Sequence, residues 1–170
     1  MALRIALTGA SGFVGRAVTP KLLDAGHAVR VLLRNPRAAP QPAAVEVVEG
    51  DLSSATALQR LTQGCDVVLH VAGAIAGLTP ADFMAANGEG TARLVAAARV
   101  NGVKRFVYLS SLAAREPQLS AYAASKRAGE EAAQAAADAM QVLVLRPAAV
   151  YGEGDKATLP LLAALTSRLG

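Results

Sequence analysis

The sequence predicts an α/β fold built around a doubly wound parallel sheet. Short apolar segments alternate with helical patterns along all 170 residues. These segments are nearly continuous in Val, Leu and Ile, as strands covered on both faces require. A glycine-rich turn follows the first apolar segment and leads directly into a helical pattern. Together these observations predict one α/β/α domain of the Rossmann type, with strand order 3-2-1-4-5-6 and a ligand site beside the first strand.

Each element of that sheet is assigned from local pattern. The predicted strands are Leu3–Leu7, Ala28–Leu33, Val45–Val48, Val67–Val71, Phe106–Leu109 and Val142–Leu145. The predicted helices are Phe13–Ala25, Ser54–Gln63, Pro80–Asn101, Ala121–Ala139 and a last one near Leu159–Leu169. Prolines between residues 36 and 42 exclude a helix there, so this segment is predicted to be a short loop.

Composition and charge exclude several classes of protein. A hydrophobic content of 53% with 18% charged residues excludes general disorder. The net charge of +4 is spread along the chain, which disfavours a nucleic-acid partner. No apolar run approaches the ~18 residues of a membrane span, and no signal-peptide pattern opens the chain. We therefore expect a cytoplasmic protein with a small-molecule substrate.

Potential metal ligands are few and distant from one another. Cys65 is the single cysteine, which excludes an internal disulfide. His27 follows a helix and is expected at the surface, whereas His70 ends a predicted strand and is expected to pack there. No metal site is predicted from these residues.

The glycine-rich turn is the strongest binding signal. Gly9, Gly12 and Gly15 lie between the first strand and the first helix, at a spacing of three. Such a turn lets backbone N–H groups approach a pyrophosphate, and the helix N-terminus adds favourable electrostatics for the anion. In a chain of alternating strands and helices, the pattern predicts a dinucleotide site.

The end of the second strand predicts which dinucleotide is preferred. NAD-binding folds usually carry an acidic residue there to bind the ribose 2′-hydroxyl. Leu33 occupies this place and Arg34 follows it, so no carboxylate repels a 2′-phosphate and a guanidinium is available to pair with it. The sequence thus favours NADP(H), with NAD as the second cofactor, unless Arg34 is simply a solvated loop residue.

Asp51 follows the third strand and has two interpretations. Its carboxylate is able to accept a hydrogen bond from the adenine amino group. It is equally suited to the N-cap region of the next helix, where Ser53 or Ser54 would share the task. The sequence leaves both roles open, and they are compatible.

Ser111, Tyr122 and Lys126 form the candidate catalytic set. Tyr122 and Lys126 are four residues apart, so a helix places them on one face. An ammonium group near a phenol lowers the phenol pKa, which makes tyrosine a usable acid or base. Ser111 ends the fifth strand and is suited to hydrogen-bonding a substrate oxygen.

These motifs together resemble the short-chain dehydrogenase/reductase superfamily, and more narrowly its extended NAD(P)-dependent epimerase/dehydratase branch. The resemblance spans nearly the whole chain. The segments that carry it are Thr8-Gly9-Ala10-Ser11-Gly12-Phe13-Val14-Gly15, Gly50-Asp51-Leu52, His70-Val71-Ala72-Gly73, Asn87-Gly88-Glu89-Gly90-Thr91, the set Ser111, Tyr122 and Lys126, and Leu145-Arg146-Pro147-Ala148-Ala149-Val150-Tyr151-Gly152.

The resemblance implies a role for each matching residue. Tyr122 would be the general acid/base, Lys126 would assist it and bind the nicotinamide ribose, Ser111 would position the substrate oxygen, and Asn87 would support the lysine through a water. Cofactor contacts are implied for Gly9, Ser11, Gly12, Phe13, Val14, Gly15, Arg34, Asp51, Leu52, Val71, Ala72, Gly73, Lys126, Pro147 and Val150. The implied reaction is hydride transfer on a small hydroxy or keto compound or a nucleotide sugar.

Three departures from the family pattern shape the expectations. Leu33-Arg34-Asn35-Pro36 resembles atypical NADP-binding members, some of which are sensors with little turnover. The interval from Ser111 to Tyr122 is short. Extended members continue into a substrate-binding lobe beyond the point where this sequence ends at Gly170. We expect a fragment, a lobe supplied elsewhere, or a protein that binds cofactor without processing a bulky substrate. A homodimer through helices 80–101 and 121–139 is a further expectation.

Overall fold

A parallel sheet lies at the centre of the computed structural model, which describes residues 1–39, 41–76 and 79–155. Within those ranges its strands are β1 (Arg4–Thr8), β2 (Ala28–Leu33), β3 (Glu46–Glu49), β4 (Val67–His70), β5 (Arg105–Leu109) and β6 (Gln141–Leu145). Their order is β3-β2-β1-β4-β5-β6 and every neighbouring pair is parallel. This confirms the predicted doubly wound arrangement.

The helices occupy the predicted connections. They are α1 (Phe13–Asp24), α2 (Ala55–Thr62), α3 (Pro80–Phe83), α4 (Gly90–Val100) and α5 (Ala121–Gln134). Two short 3₁₀ turns, Leu112–Arg115 and Pro117–Leu119, lie between β5 and α5. The predicted helix near Leu159–Leu169 lies outside the described residues.

Two predicted helices differ from the structure in instructive ways. The prediction Pro80–Asn101 is wrong in treating one α-helix throughout, because Met84–Glu89 between α3 and α4 is π-helical. In this π-helical segment the Asn87 side chain accepts a hydrogen bond from the Ala74 nitrogen and donates one to the Ala74 carbonyl oxygen. The prediction Ala121–Ala139 is also too long. After Gln134 the chain forms tight turns that lead to β6, and Ala136 and Met140 are buried in this segment.

Apolar layers cover the sheet on both faces. On one face, strand residues such as Ala6, Val68 and Phe106 pack with buried residues of α2, α4 and α5. On the other face, a second cluster includes Leu7 and Val31 and is packed by Leu22 and Leu23 of α1. This division follows from the alternation of side chains along each strand. At the edge strand β6, Leu143 and Leu145 are exposed in the described part of the chain.

The strand order positions the functional site. β1 pairs with β2 on one side and with β4 on the other, so the connections after β1 and β4 diverge to opposite faces of the sheet. A crevice therefore opens at the carboxyl ends of these strands.

The helices of the described residues are too short or too polar for a membrane span.

Candidate active site at the carboxyl edge of the sheet

A groove of about 1220 Å³ runs along the carboxyl edge of the sheet. Of the predicted cofactor residues, those lining it are Gly9, Ser11, Gly12, Phe13, Val14, Arg34, Asp51, Leu52, Val71, Ala72, Gly73, Lys126, Pro147 and Val150. Ser111 and Tyr122 line it as well. Two predicted site residues, Gly15 and Asn87, lie beneath this surface. The fold thus brings most of the predicted site into one continuous groove.

The three glycines of the turn have different physical roles. Gly9 has a φ of 79°, and a β-carbon there would lie 2.6 Å from the backbone nitrogen of Ala72. A β-carbon on Gly15 would overlap the carbonyl oxygen of Gly9. Gly12 is less crowded, because a β-carbon there would meet only the Gly9 carbonyl, at 3.2 Å. Gly9 and Gly15 allow the turn to pack against the sheet, whereas Gly12 keeps the groove open.

The first turn of α1 offers free backbone donors to an anion. Gly12 is the N-cap residue, and it has no side chain to accept a hydrogen bond from the helix. The first turn also carries no acidic residue. The N–H groups at this end therefore meet no carboxylate from their own helical turn, an arrangement that suits phosphate groups.

Arg34 and Asp51 lie at the β2–β3 end of the groove. Arg34 is exposed and follows buried Leu33. Asp51 accepts hydrogen bonds from the backbone nitrogen of Ser53 at 2.8 Å and from its hydroxyl at 2.5 Å. These bonds, with a smaller contribution from Arg34, hold the pKa of Asp51 below its usual value. The cap of α2 is Ser54, whose hydroxyl accepts from Ala57, so Asp51 supports the turn before the helix.

Two further arginines line this half of the groove and were missed by the sequence reasoning. Arg16 lies in the first turn of α1, directly after the last glycine of the turn. Arg93 on α4 donates hydrogen bonds to the carbonyl oxygens of Leu52 and Ala85. The sequence signal for Arg16 was its place next to the glycine motif. Arg93 had no such signal, because only packing brings α4 to Leu52.

His70 is a fully buried link between β1 and α4. Its Nδ1 lies 2.6 Å from the Thr8 hydroxyl, and its Nε2 lies 2.9 Å from the Thr91 hydroxyl. The ring also stacks on Tyr108 at 5.2 Å between centroids. Burial lowers the pKa of His70 to about 3. The residue is a packed strand-end histidine, as the sequence indicated, and His27 is half-buried and accepts from the Leu3 nitrogen.

Lys126 is the buried charge of the site. It is 4% exposed, and its Nζ donates to the carbonyl oxygen of Leu109 at 2.7 Å. The same Nζ lies 4.4 Å from the centroid of the Tyr108 ring. Burial lowers the pKa of Lys126 to about 8, and the Glu130 carboxylate opposes that shift. The ammonium group is therefore stabilised by a carbonyl, an aromatic face and a carboxylate.

Tyr122 and Ser111 line the groove together with Lys126. Tyr122 lies one helical turn before Lys126 on α5 and packs edge-on against Phe83 at 6.0 Å. Ser111 caps the 3₁₀ turn after β5, where its hydroxyl oxygen accepts from the Ala113 nitrogen at 3.2 Å. Because a serine hydroxyl also carries one proton, Ser111 remains able to donate to an oxygen atom in the groove.

Asn87 acts from behind the groove. Its side-chain oxygen accepts from the Ala74 nitrogen at 2.8 Å, and its amide nitrogen donates to the Ala74 carbonyl and the Ser125 hydroxyl. A β-carbon on Gly73 would lie 3.1 Å from the Asn87 oxygen and 3.7 Å from Lys126 Nζ. Asn87 thus fixes the loop after β4 beside the lysine.

Comparison with known proteins agrees with this geometry. A family model described as the NAD dependent epimerase/dehydratase family matches residues 5–168. The chain belongs to this family.

Within the described residues no group of three His, Cys, Asp or Glu side chains is placed to hold a metal ion.

Individual relatives are 30% to 48% identical to the chain over the aligned residues. A ceramide reductase of Caulobacter vibrioides is 48% identical over 92% of the chain and 49% of its own length. A short-chain dehydrogenase/reductase from Agrobacterium tumefaciens, solved with bound NAD, is 34% identical, with a TM-score of 0.73 over 84% of the chain and 48% of its own. MoeE5, solved with UDP-glucuronic acid and NAD, is 30% identical, with a TM-score of 0.79 over 91% of the chain and 57% of its own. The chain thus spans about half the length of these relatives.

The glycine geometry predicts that Gly12 and Gly15 respond differently to substitution. Gly12→Val should fold with a melting temperature near that of the parent but lose nicotinamide-dinucleotide binding, because its side chain occupies the groove. Gly15→Val should destabilise the fold itself through overlap with the Gly9 carbonyl. Circular dichroism melts and cofactor fluorescence titration measure the two effects. Unimpaired binding by Gly12→Val would contradict the assignment.

The burial of His70 predicts a loss of stability in mild acid. The unfolded chain protonates this histidine near its ordinary pKa of 6.5, while the folded chain keeps it neutral down to about 3. The unfolded state therefore binds more protons between these values. The free energy of unfolding should fall as pH drops below about 6.5, with a slope approaching ~1.4 kcal/mol per pH unit.

Urea unfolding between pH 6.5 and 4.5 tests this expectation, since the carboxyl groups of an unfolded chain titrate at about pH 4, below most of that window. His70→Gln should remove most of the slope. A slope that persists in His70→Gln would show that another group is responsible.

Proposed function

We propose that the chain is the cofactor-binding and catalytic half of an oxidoreductase that prefers NADP(H) and acts on a hydroxy or keto compound. The observation that carries this proposal is the convergence of Ser111, Tyr122 and Lys126 on the groove that the glycine turn opens. A buried lysine is costly in a purely structural domain, and this one shares both its helix and the groove with Tyr122. The solved relative from Agrobacterium tumefaciens contains NAD, so the preference for NADP(H) depends on Arg34 and Leu33 of this chain.

Three residues would carry the proton chemistry of the reaction. Ser111 donates a hydrogen bond to the substrate oxygen and orients it. Tyr122 transfers a proton to that oxygen during reduction and removes it during oxidation. The Lys126 ammonium contributes positive charge and binds the nicotinamide ribose. The nicotinamide, when bound, supplies or accepts the hydride.

Part of the groove lining is apolar and favours a substrate with an apolar portion. This part consists of Ala74, Ile75, Ala148, Ala149 and Val150. Ile75 is 66% exposed and Val150 is 41% exposed, so both present apolar surface to the groove.

Charge is distributed unevenly along the groove. Among the described lining residues, the arginines belong to α1, the β2 loop and α4, which leaves Lys126 as the cation beside Tyr122. Within the described part of the chain, the pyrophosphate of a nucleotide sugar would meet little positive charge beside Tyr122. The 48% identical relative is named for a ceramide, which is a lipid. We therefore propose a carbonyl or hydroxyl compound bearing an alkyl chain over a nucleotide sugar.

Arg34 is expected to select the cofactor. A charge-assisted hydrogen bond contributes roughly 1.5–3 kcal/mol, so Arg34→Ala should weaken NADPH binding by about 10- to 100-fold. NADH binding should be nearly unchanged, because NADH lacks the 2′-phosphate. Fluorescence titration with both cofactors measures this, and Arg37→Ala in the same loop is the matched control. An equal loss for both cofactors in Arg34→Ala would contradict the assignment.

Tyr122→Phe tests the catalytic proposal directly. General acid/base catalysis contributes roughly 10²–10⁴-fold, so the rate of NADPH oxidation with a long-chain alkyl ketone should fall by about that factor while NADPH binding is retained. Tyr151→Phe, which alters an exposed tyrosine after β6, is the matched control.

The same assay separates the competing functions. Turnover with a UDP-sugar but not with the alkyl ketone would contradict the apolar substrate class. Tight NADPH binding without turnover of any carbonyl compound or nucleotide sugar would favour a cofactor-binding sensor.

A further inference from the structure

Glu130 is a buried carboxylate that neither the glycine motif nor the Tyr122–Lys126 pair uses. It lies on α5, one helical turn after Lys126, and is 3% exposed. Its Oε1 accepts from the Ser110 hydroxyl at 2.6 Å and from Arg146 Nε at 2.8 Å. Its Oε2 accepts from Arg146 Nη2 at 2.6 Å. A paired, hydrogen-bonded arrangement of this kind is what a buried charge requires.

These bonds join three separate parts of the groove wall. Ser110 lies between Leu109, whose carbonyl accepts from Lys126, and Ser111. Arg146 directly precedes Pro147, which lines the groove. Glu130 connects both to α5 over sequence distances of 20 and 16 residues. The carboxylate therefore fixes the ends of β5 and β6 against the helix that carries Tyr122 and Lys126.

Backbone hydrogen bonds between the ends of β5 and β6 depend on the same alignment of these strands with α5. The Ser110 nitrogen donates to the Leu145 carbonyl at 2.8 Å, and the Leu112 nitrogen donates to the Pro147 carbonyl at 3.0 Å. Leu112 and Pro147 lie beyond the paired strands, so their hydrogen bond extends the β5–β6 contact to the edge of the groove. Ser111 sits between these two donors.

We propose that Glu130 is a positioning residue: its carboxylate, held by Ser110 and Arg146, aligns Ser111 and the segment 147–150 with Lys126 and keeps the Lys126 ammonium in place. This inference extends the proposed function, because it concerns the residues that would meet the nicotinamide end of the cofactor. Glu130 itself touches neither substrate nor cofactor in this proposal and acts through its neighbours.

The charge of Glu130 gives the proposal a signature that a purely structural role lacks. Burial by itself raises the pKa of the Glu130 carboxyl, but the bonds from Arg146 and Ser110 hold its pKa below the usual value, so it is ionised at neutral pH. That negative charge opposes the effect of burial on Lys126. Among the described residues, the titratable groups near Lys126 include Tyr122 and Glu130 on α5, Tyr108 on β5, His70 on β4 and, beyond Glu130, Arg146. Asp82 and Asp155 line the same groove.

The experiment measures NADPH binding as a function of pH in Glu130→Gln. The matched control is Glu131→Gln, which makes the same change one residue later, where Glu131 is exposed and pairs with Arg127 at 2.8 Å. In the parent, affinity should fall as Lys126 loses its proton near pH 8. In Glu130→Gln, affinity at neutral pH should fall by about tenfold, and the alkaline loss should begin at lower pH.

Two further variants separate position from charge. Ser110→Ala removes one bond but keeps the carboxylate, so it should weaken binding equally at every pH without moving the midpoint. Arg146→Lys keeps a positive partner, and it should retain the parental midpoint with reduced affinity. A Glu130→Gln curve that superimposes on that of Glu131→Gln, or that falls uniformly with the parental midpoint, would overturn the proposal.

Amide hydrogen exchange of the unliganded chain supplies a readout that does not depend on cofactor binding. Protection of the Leu112 amide should fall in Glu130→Gln and remain parental in Glu131→Gln. Parental protection in both variants would overturn the positioning role. Failure of the parent to bind NADPH or NADH would refute the proposed function instead, and the exchange measurement would still decide the role of Glu130.

Discussion

The buried ammonium group of Lys126 constrains the end of the groove that also contains Tyr122 and Ser111. A charged lysine that is 4% exposed is costly unless polar groups replace its water. The Leu109 carbonyl, the Tyr108 ring and the Glu130 carboxylate supply that replacement from β5 and α5. The requirement to keep them together explains why the ends of β5 and β6 are tied so closely to α5.

The other end of the groove is governed by close backbone packing. Gly9 approaches the backbone at Ala72, and Gly15 approaches the carbonyl of Gly9. Thr8 joins the same region to His70 and, through His70, to Thr91 on α4. These buried hydrogen bonds connect the strand before the glycine turn to α4. The π-helical segment that contains Asn87 leads directly into α4. The two ends of the groove therefore belong to one packed unit.

Several parts of the fold and site were predictable from local pattern. Apolar strands separated by helical patterns predicted a parallel sheet, because parallel strands require crossover helices and those helices are visible in the sequence. The strand order followed from the pattern of dinucleotide-binding folds. The glycine turn and the Tyr122–Lys126 spacing identified part of the groove lining, and the family resemblance added residues such as Gly73 and Pro147. Asn87 and Gly15 were recognised as part of the site, but their positions beneath the groove were not evident. The π-helical turn at Met84–Glu89 was missed, since it depends on a bond to Ala74 that is distant in sequence.

The sequence by itself determined the main strands and helices and the residue types at the carboxyl edge of the sheet. These features follow from periodicity and turn chemistry within short windows of sequence. Only the tertiary structure decided that Glu130, Ser110 and Arg146 form one buried cluster and that Arg93 reaches Leu52. Each of these contacts joins separate elements of the chain. A local pattern carries no information about such pairs, whereas packing of strands and helices around one sheet brings them together and removes the water that would otherwise bind their charges.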